Sequence, residues 1–366
     1  MSTTGESALG GLVRKYGLRD PSGLAAPPKD IEASPVYVVP VAELRDGHQW
    51  AADLFGFTTT DKTQVRVFDD NDWPDALRPF IPATTPNGAA WKWPERATLQ
   101  LAQAFAAGDR VLLHGPTGAG KSALVEAFAC VTRMPLIRVN CHREQQSTDF
   151  LGKDILKADP SGATVLEYDW SMTTLAARHG GILLIDEAFR SPALMSIQSL
   201  LERGGTLTLP DAASLTPDQR RIVPPDGKFL IALTDNTNGT GDESGAYNAE
   251  VQDLSTLDRI TATIYVDYMS AAMEADILRS LVGPDVPDPV ILDVVRWANK
   301  LRDAFKRGVV MQPVSLRATS AILRKYAVTG DLGAAVVLSY ANKLGKTDVV
   351  VCVETWHQVT GRDLVL

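Results

Sequence analysis

One stretch of eight residues limits what this chain can fold into more than any other feature. Residues 115–122 read GPTGAGKS and match the phosphate-binding pattern G-x-x-x-x-G-K-[ST] at every fixed position. An apolar run at residues 111–113 has the length and composition of a buried strand, and residues 123–129 suit a helix. A chance glycine-rich turn is the alternative, and the strand and helix on either side argue against it.

The spacing within this loop has a chemical reason. Glycines let the backbone wrap around phosphates so that successive N–H groups donate to them, and the following helix adds the positive end of its dipole. Lys121 is expected to reach the β- and γ-phosphates of ATP, and Ser122 to bind Mg²⁺ through its hydroxyl. The expected nucleotide-binding residues are Gly115, Pro116, Thr117, Gly118, Ala119, Gly120, Lys121 and Ser122.

A second apolar run, residues 182–185, ends in two carboxylates about 65 residues after Lys121. At the end of a strand beside the phosphate loop, Asp186 is expected to orient Mg²⁺. Glu187 is expected to polarise a water molecule for in-line attack on the γ-phosphate. A solvated turn is the alternative interpretation of this acidic pair.

A third apolar run, residues 229–234, predicts a further buried strand that is followed by Asp235 and Asn236. The side-chain amide of Asn236, placed beside the carboxylate strand, can hold the attacking water. Asparagine is also an ordinary turn residue, and that interpretation stays open.

The strand and helix patterns alternate around the phosphate loop and give way to a helical carboxyl-terminal part, which predicts an α/β nucleotide domain with a lid. Residues 36–39 read as a strand, 191–202 as a helix and 348–353 as a helix or a strand. The expected parts are a flexible N-terminal arm (1–35), a small N-terminal α+β region (36–85), the α/β nucleotide-binding domain (86–268) and a helical lid domain (269–366).

Composition and charge argue against some functions and cellular locations of the chain. The 36 Lys and Arg against 44 Asp and Glu give a net charge of −8, which argues against a broad nucleic-acid surface but leaves a local basic groove open. No apolar run approaches a membrane span, and the first residues lack the order of a secretory signal. The 3 cysteines have no zinc-binding spacing. A cytoplasmic protein with reduced thiols and no membrane contact is expected.

Several motifs resemble those of a known family, the MoxR group of AAA+ ATPases. Residues 186–192, DEAFRSP, resemble that group's D-E-I-N-R-A-P, and residues 149–152, DFLG, resemble its D-L-L-G. Within the group, roughly residues 50–330 resemble the ATPase subunit of aerobic cobaltochelatase, the CobS type. The stretches that carry this resemblance are residues 54–57, 137–140, 151–154, 205–209 and 236–259.

The resemblance implies a fold and a set of roles. The fold is an AAA+ P-loop NTPase core, a parallel five-stranded sheet flanked by helices, with a C-terminal helical lid. Asn236 corresponds to the first sensor, and Arg317 to the second sensor on the lid. Arg259 corresponds to the finger that reaches the γ-phosphate of a neighbouring subunit; a surface salt bridge is the alternative for either arginine. Relatives form rings, expected here to be hexameric, and work with a protein that carries a von Willebrand factor A domain.

The chain also departs from the family pattern. Ile260 replaces an aromatic residue, Asp235 adds a carboxylate, and the loop at residues 210–220 is longer than usual. These departures argue against a role in cobalt chelation more than against ATP hydrolysis. We expect an ATP-hydrolysing ring motor that remodels a partner.

Three alternatives to the ring motor stay open at the level of sequence. The first is a cobaltochelatase subunit that drives cobalt insertion into a corrin precursor. The second is a nucleic-acid-directed motor in defence or phage biology, against which the acidic charge argues. The third is a regulatory nucleotide-binding module without turnover, against which the intact pair of Asp186 and Glu187 argues.

Overall fold

The computed structural model describes residues 45–241 and 251–366. The strand expected at residues 36–39 and the N-terminal arm lie outside the described residues, as does most of the glycine-rich loop after residue 239.

Five parallel strands form the central sheet: β3 (Arg110–His114), β4 (Leu136–Asn140), β7 (Gly181–Asp186), β10 (Phe229–Asp235) and β11 (Ala262–Tyr265). Their order across the sheet is β11-β3-β10-β7-β4. All residues of β7 and β10 are buried, as the interior strands of a parallel sheet require. This sheet and its helices confirm the predicted fold class, and the parallel register brings the carboxyl ends of the strands to one edge.

In the described residues, three two-stranded antiparallel sheets lie outside the central sheet: β1 (His48–Trp50) with β2 (Gln64–Arg66), β5 (Gly152–Ala158) with β6 (Thr164–Trp170), and β8 (Leu207–Thr208) with β9 (Arg221–Ile222). The described α-helices before the lid are α1 (Ala51–Phe55), α2 (Glu95–Ala107), α3 (Lys121–Thr132), α4 (Ser147–Leu151), α5 (Met172–His179) and α6 (Leu254–Arg259). Those of the lid are α7 (Ala271–Val282), α8 (Asp288–Lys306), α9 (Leu316–Thr329), α10 (Leu332–Ser339) and α11 (Lys346–Thr360). None of these helices is long and apolar enough to cross a bilayer.

The helix expected at residues 191–202 is a 3₁₀ helix, Pro192–Leu201. Leu194, Ile197 and Leu200 are all buried in the core beside the sheet. Their spacing of three residues matches the three residues per turn of a 3₁₀ helix, so the tighter winding places all three on one face. The late apolar run, for which the sequence left two possibilities, is part of helix α11.

The described residues before the nucleotide domain share its core. Phe55 of α1 and Trp73 lie in the same buried cluster as α2 and α3, and the ring of Phe55 is 5.7 Å from that of Phe128. The indole nitrogen of Trp73 donates to the carbonyl of Arg133 just after α3. This segment therefore packs directly on the helix that follows the phosphate loop.

The lid has its own apolar core, and one ion pair is buried inside it. Glu274 of α7 is 0% exposed and Arg302 of α8 is 3% exposed. Two guanidinium nitrogens donate to the two carboxylate oxygens, at 2.5 and 2.9 Å, and Thr319 of α9 donates to the same carboxylate at 3.0 Å. The pair therefore ties three lid helices together.

The lid also touches the phosphate loop directly. Gly118 has φ +75°, and a Cβ atom built there would lie 2.3 Å from the Cβ of Ser315, the residue that caps α9. A side chain at residue 118 has no room unless the lid moves away. Glycine is therefore needed at this position both for its backbone conformation and for the approach of the lid.

Replacing Arg302 by Met should lower the free energy of unfolding by about 3–5 kcal/mol, because Glu274 would stay buried without its cation. Urea unfolding measures this loss. The control is Arg296→Met, which removes an exposed pair with Asp293 and should change stability by less than about 1 kcal/mol. Similar losses for the two variants would contradict a structural role for the buried pair.

Replacing Gly118 by Ala should destabilise the protein more than replacing Gly108 does. Both glycines have φ near +75°, so both variants carry the strain of the left-handed conformation, about 1–2 kcal/mol. A Cβ at Gly108 meets no atom within 4 Å, so that variant measures the backbone strain alone. Equal unfolding midpoints for the two would show that the lid does not press on the loop.

Candidate functional site

The phosphate loop connects β3 to α3 and holds two further glycines with positive φ. Gly115 has φ +143°, and a Cβ there would lie 2.1 Å from the carbonyl oxygen of Val266. Gly120 has φ +94° and occupies the position before the first turn of α3. The backbone is therefore folded tightly against the end of β11, with the amino terminus of α3 behind the loop, as a phosphate site requires.

The ammonium group of Lys121 lies inside this loop and is 9% exposed as a residue. It donates to the carbonyls of Gly115 at 2.7 Å and Pro116 at 3.0 Å, and to the side-chain oxygen of Asn236 at 3.1 Å. Burial lowers the pKa of Lys121 to about 8, although the nearby carboxylates of Asp235, Asp186 and Glu187 act in the opposite direction. The three acceptors are neutral, so an anion would be a better partner for this charge.

The carboxylate of Asp186 is surrounded by donors at the end of β7. Ser122 donates to it at 2.8 Å, and Thr234 of β10 and Arg138 of β4 also donate to it. Burial alone would raise the pKa of Asp186, but these three donors outweigh burial and hold the pKa below its ordinary value. Asp186 is therefore a stable anion beside the phosphate loop.

The expected general base, Glu187, has a left-handed backbone with φ +54° and forms an ion pair with Arg190 at 2.9 Å. Positive φ is uncommon for a residue that is not glycine, and such strain is often found at functional sites. The neighbouring carboxylate, Asp235, accepts from the backbone N–H of Phe189 at 3.2 Å and from that of Thr237 at 3.1 Å. Asp235 therefore holds the backbone at two points, just after Glu187 and just after Asn236.

A cavity of about 570 Å³ opens between the core and the lid. On the core side, Thr117, Glu187, Arg190 and Asn236 line it; on the lid side, residues 311–313 and 345–348 do so, among them Lys346. The sequence motifs thus meet at one cavity, although they are far apart along the chain. This volume suits a small-molecule ligand.

The two arginines assigned from the family resemblance do not line this cavity. Arg259 donates to Glu202 at 2.9 Å and to the carbonyl of Ser255 at 2.7 Å at the end of α6. Arg317 is exposed near the start of α9, two residues after the Ser315 that touches the phosphate loop. Its side chain lines a second cavity, together with Arg324 and Lys325.

Some of the residues in the site were not identified from the sequence. Arg138 and Thr234 bind Asp186 from the two strands beside β7, and Arg190 and Lys346 are cations of the cavity wall. The one available signal was a polar residue within an otherwise apolar strand pattern, as at Arg138. Alternation of side chains along β4 places Arg138 and Asn140 on the same face.

The residues at the base of the loop fit a magnesium ion. Ser122 and Asp186 offer a hydroxyl and a carboxylate oxygen 2.8 Å apart. Mg²⁺ prefers oxygen ligands and commonly uses one or two from the protein, with the rest from phosphate and water. Within residues 45–241 and 251–366, no cluster of three or more His, Cys, Asp or Glu side chains could hold a metal by itself. The remaining ligands would thus be phosphate and water.

The family comparison agrees with this geometry. Residues 110–248 match the AAA domain of the dynein-related subfamily. The aerobic cobaltochelatase subunit CobS of Sinorhizobium sp is 28% identical over 291 residues, which are 78% of this chain and 84% of that protein.

Two further likenesses are more distant. The von Willebrand factor A domain-containing protein 8 of Mus musculus is 25% identical over 217 residues, which are 58% of this chain and only 11% of that protein. The solved structure of the Thermotoga maritima RuvB Holliday junction branch migration motor is 16% identical, covers 74% of this chain and 70% of its own, and has a TM-score of 0.40. The family assignment depends on the motif geometry, the strand order and the matched AAA domain, and not on that structure. The matched AAA domain and the similarity to CobS support an AAA+ ATPase of the MoxR and CobS type.

Proposed function

We propose that this chain hydrolyses MgATP as one subunit of a ring, expected to be a hexamer, and uses the energy to remodel a partner protein or complex. One observation supports this most strongly. Glu187 and Asn236 line one cavity. Lys121 donates to Asn236, and Ser122 donates to Asp186, the residue before Glu187, so groups from three separate sequence motifs lie together. Phosphoryl transfer needs this combination of cation, metal-binding oxygens, base and water-holding amide.

Each residue has a defined task in the proposed reaction. Lys121 would exchange its neutral acceptors for phosphate oxygens, and Ser122 and Asp186 would hold Mg²⁺, which neutralises charge on the phosphates when bound. Glu187 would take a proton from the attacking water, for which it must leave its ion pair with Arg190. That pair is exposed on both sides and therefore weak, so a bound phosphate that attracts Arg190 is sufficient to release the carboxylate.

The position of Arg259 supports a shared active site. Within its own subunit it pairs with Glu202 and does not line the cavity that contains Glu187. A guanidinium that approaches the γ-phosphate from a neighbouring subunit stabilises the charge that develops on the transferring group. Arg317, on the lid, is proposed to contact the nucleotide of its own subunit after the lid closes.

The partner is a separate proposal. A protein with a von Willebrand factor A domain is the partner that we propose, since one relative carries this domain in its name. Cobalt insertion into a corrin precursor is the second candidate, and the CobS relative favours it. We place this work in the cytoplasm because all three cysteines are free thiols.

Glu187→Gln should bind MgATP with nearly unchanged affinity and lose almost all turnover, because the base is removed while the phosphate contacts stay. Fluorescent-nucleotide titration and phosphate release measure the two properties. Lys121→Ala should lose binding itself. Glu144→Gln, a change at an exposed glutamate of the same domain, is the control and should leave both unchanged. Turnover of Glu187→Gln at the wild-type rate would overturn the role of this residue.

Mixing two inactive variants tests the shared site. Subunits with Arg259→Ala keep Lys121 and Glu187, and a neighbouring Glu187→Gln subunit supplies an intact Arg259. Rings that contain both should therefore recover part of the wild-type phosphate release. A mixture of Glu187→Gln with Lys121→Ala contains no complete interface and is the matched control without recovery. Absence of recovery in the first mixture, with mixed rings demonstrated by native mass spectrometry, would count against a finger acting between subunits.

A further inference from the structure

A tyrosine between the core and the lid makes contacts that the proposed chemistry does not use. Tyr268 follows β11, in the short segment that leads from the central sheet into α7. Its hydroxyl donates to the backbone carbonyl of Thr117, in the middle of the phosphate loop, at 2.9 Å. Its ring lies under the guanidinium of Arg302, which is 4.6 Å from the ring centroid. One side chain thus contacts the loop with one end and the buried ion pair of the lid with its face.

The bond to Thr117 has a consequence for phosphate binding. In a planar trans peptide the carbonyl of one residue and the N–H of the next point in opposite directions. A hydroxyl that holds the carbonyl of Thr117 therefore also fixes the direction of the N–H of Gly118. Successive backbone N–H groups of this loop are the donors that bind phosphates. Tyr268 consequently controls the orientation of one such donor without touching the nucleotide.

Arg302 extends this control into the lid. Its Nε donates to the carbonyl of Val314 at 2.6 Å, directly after residues 311–313, which line the nucleotide cavity. Its other nitrogens hold Glu274, which accepts from Thr319 in the helix that begins next to Ser315. Arg302 thus sets the position of the cavity wall and of α9 at once. Because the pair is buried, these parts of the lid move together when Arg302 moves.

We propose that Tyr268 is a positioning residue for the nucleotide, which orients the Thr117–Gly118 peptide and couples it, through Arg302, to the lid wall of the cavity. This inference rests on the proposed function, since it assumes that MgATP binds at the phosphate loop. When phosphates bind, the loop backbone adopts one orientation. Tyr268 moves with the loop and repositions Arg302. Arg302 in turn repositions residues 311–314 and α9. Arg317, near the start of α9, is thereby brought to its working position.

The test uses Tyr268→Phe in the full chain, because phenylalanine keeps the ring under Arg302 and removes only the hydroxyl. The control is Tyr326→Phe; Tyr326 is a half-buried lid tyrosine whose hydroxyl makes no hydrogen bond with the residues that the structure describes. A slowly hydrolysed ATP analogue with Mg²⁺ should bind about three- to tenfold more weakly to Tyr268→Phe, the effect of one lost hydrogen bond. The control should bind the analogue and unfold like the wild type.

Hydrogen exchange separates positioning from a merely structural role. In the wild type, the analogue should slow exchange in residues 115–122 and also in residues 311–329 of the lid. In Tyr268→Phe the first effect should persist at saturating analogue and the second should largely disappear. Tyr268→Leu, which also removes the contact with Arg302, should lose the lid effect completely.

The outcomes distinguish this inference from the proposed function. Protection of the lid in Tyr268→Phe equal to that in the wild type, with normal affinity, would overturn the positioning role and leave ATP hydrolysis untouched. Failure of the wild type to bind the analogue at all would overturn both.

Discussion

The buried charge of Lys121 is the constraint on which the rest of the site depends. An ammonium group that has lost most of its water is costly unless strong acceptors surround it, and the lowered pKa, about 8, records this cost. The chain supplies two loop carbonyls and the amide oxygen of Asn236. Phosphate oxygens are stronger acceptors than any of these, so the structure holds a cation that a triphosphate would satisfy better. The buried charge of Lys121 therefore makes phosphate binding to the loop more favourable.

The parallel sheet explains how the other groups reach this cation. Its strand order places β7 and β10 side by side, next to the loop that follows β3, so Asp186, Thr234 and Asn236 converge at one edge. Ligands of open α/β sheets bind at this edge for the same geometric reason. The lid supplies the opposite wall of the cavity, and the pair of Glu274 and Arg302 keeps that wall rigid. Core and lid can therefore respond to one ligand, although they have separate apolar cores.

Local patterns in the sequence predict local parts of this molecule well. The phosphate loop and the acidic end of β7 lie where their motifs put them. The contacts of Arg138 with Asp186 and of Tyr268 with Thr117 could not be predicted, because each depends on a partner that only the tertiary fold brings near. The 3₁₀ winding of residues 192–201 was not predicted either. The three-residue spacing of its apolar side chains fits a core that distant segments form, so this stretch of sequence does not indicate it alone. The roles of Arg259 and Arg317 stay predictions.

We propose that ATP is hydrolysed at a site that two subunits complete. The most direct measurement is Mg²⁺-dependent phosphate release per subunit across a wide range of protein concentration, with the oligomeric state of each sample determined by sedimentation velocity. The account predicts that turnover per subunit rises in step with the assembled fraction and is negligible in the monomer. Full turnover in demonstrably monomeric protein would contradict it.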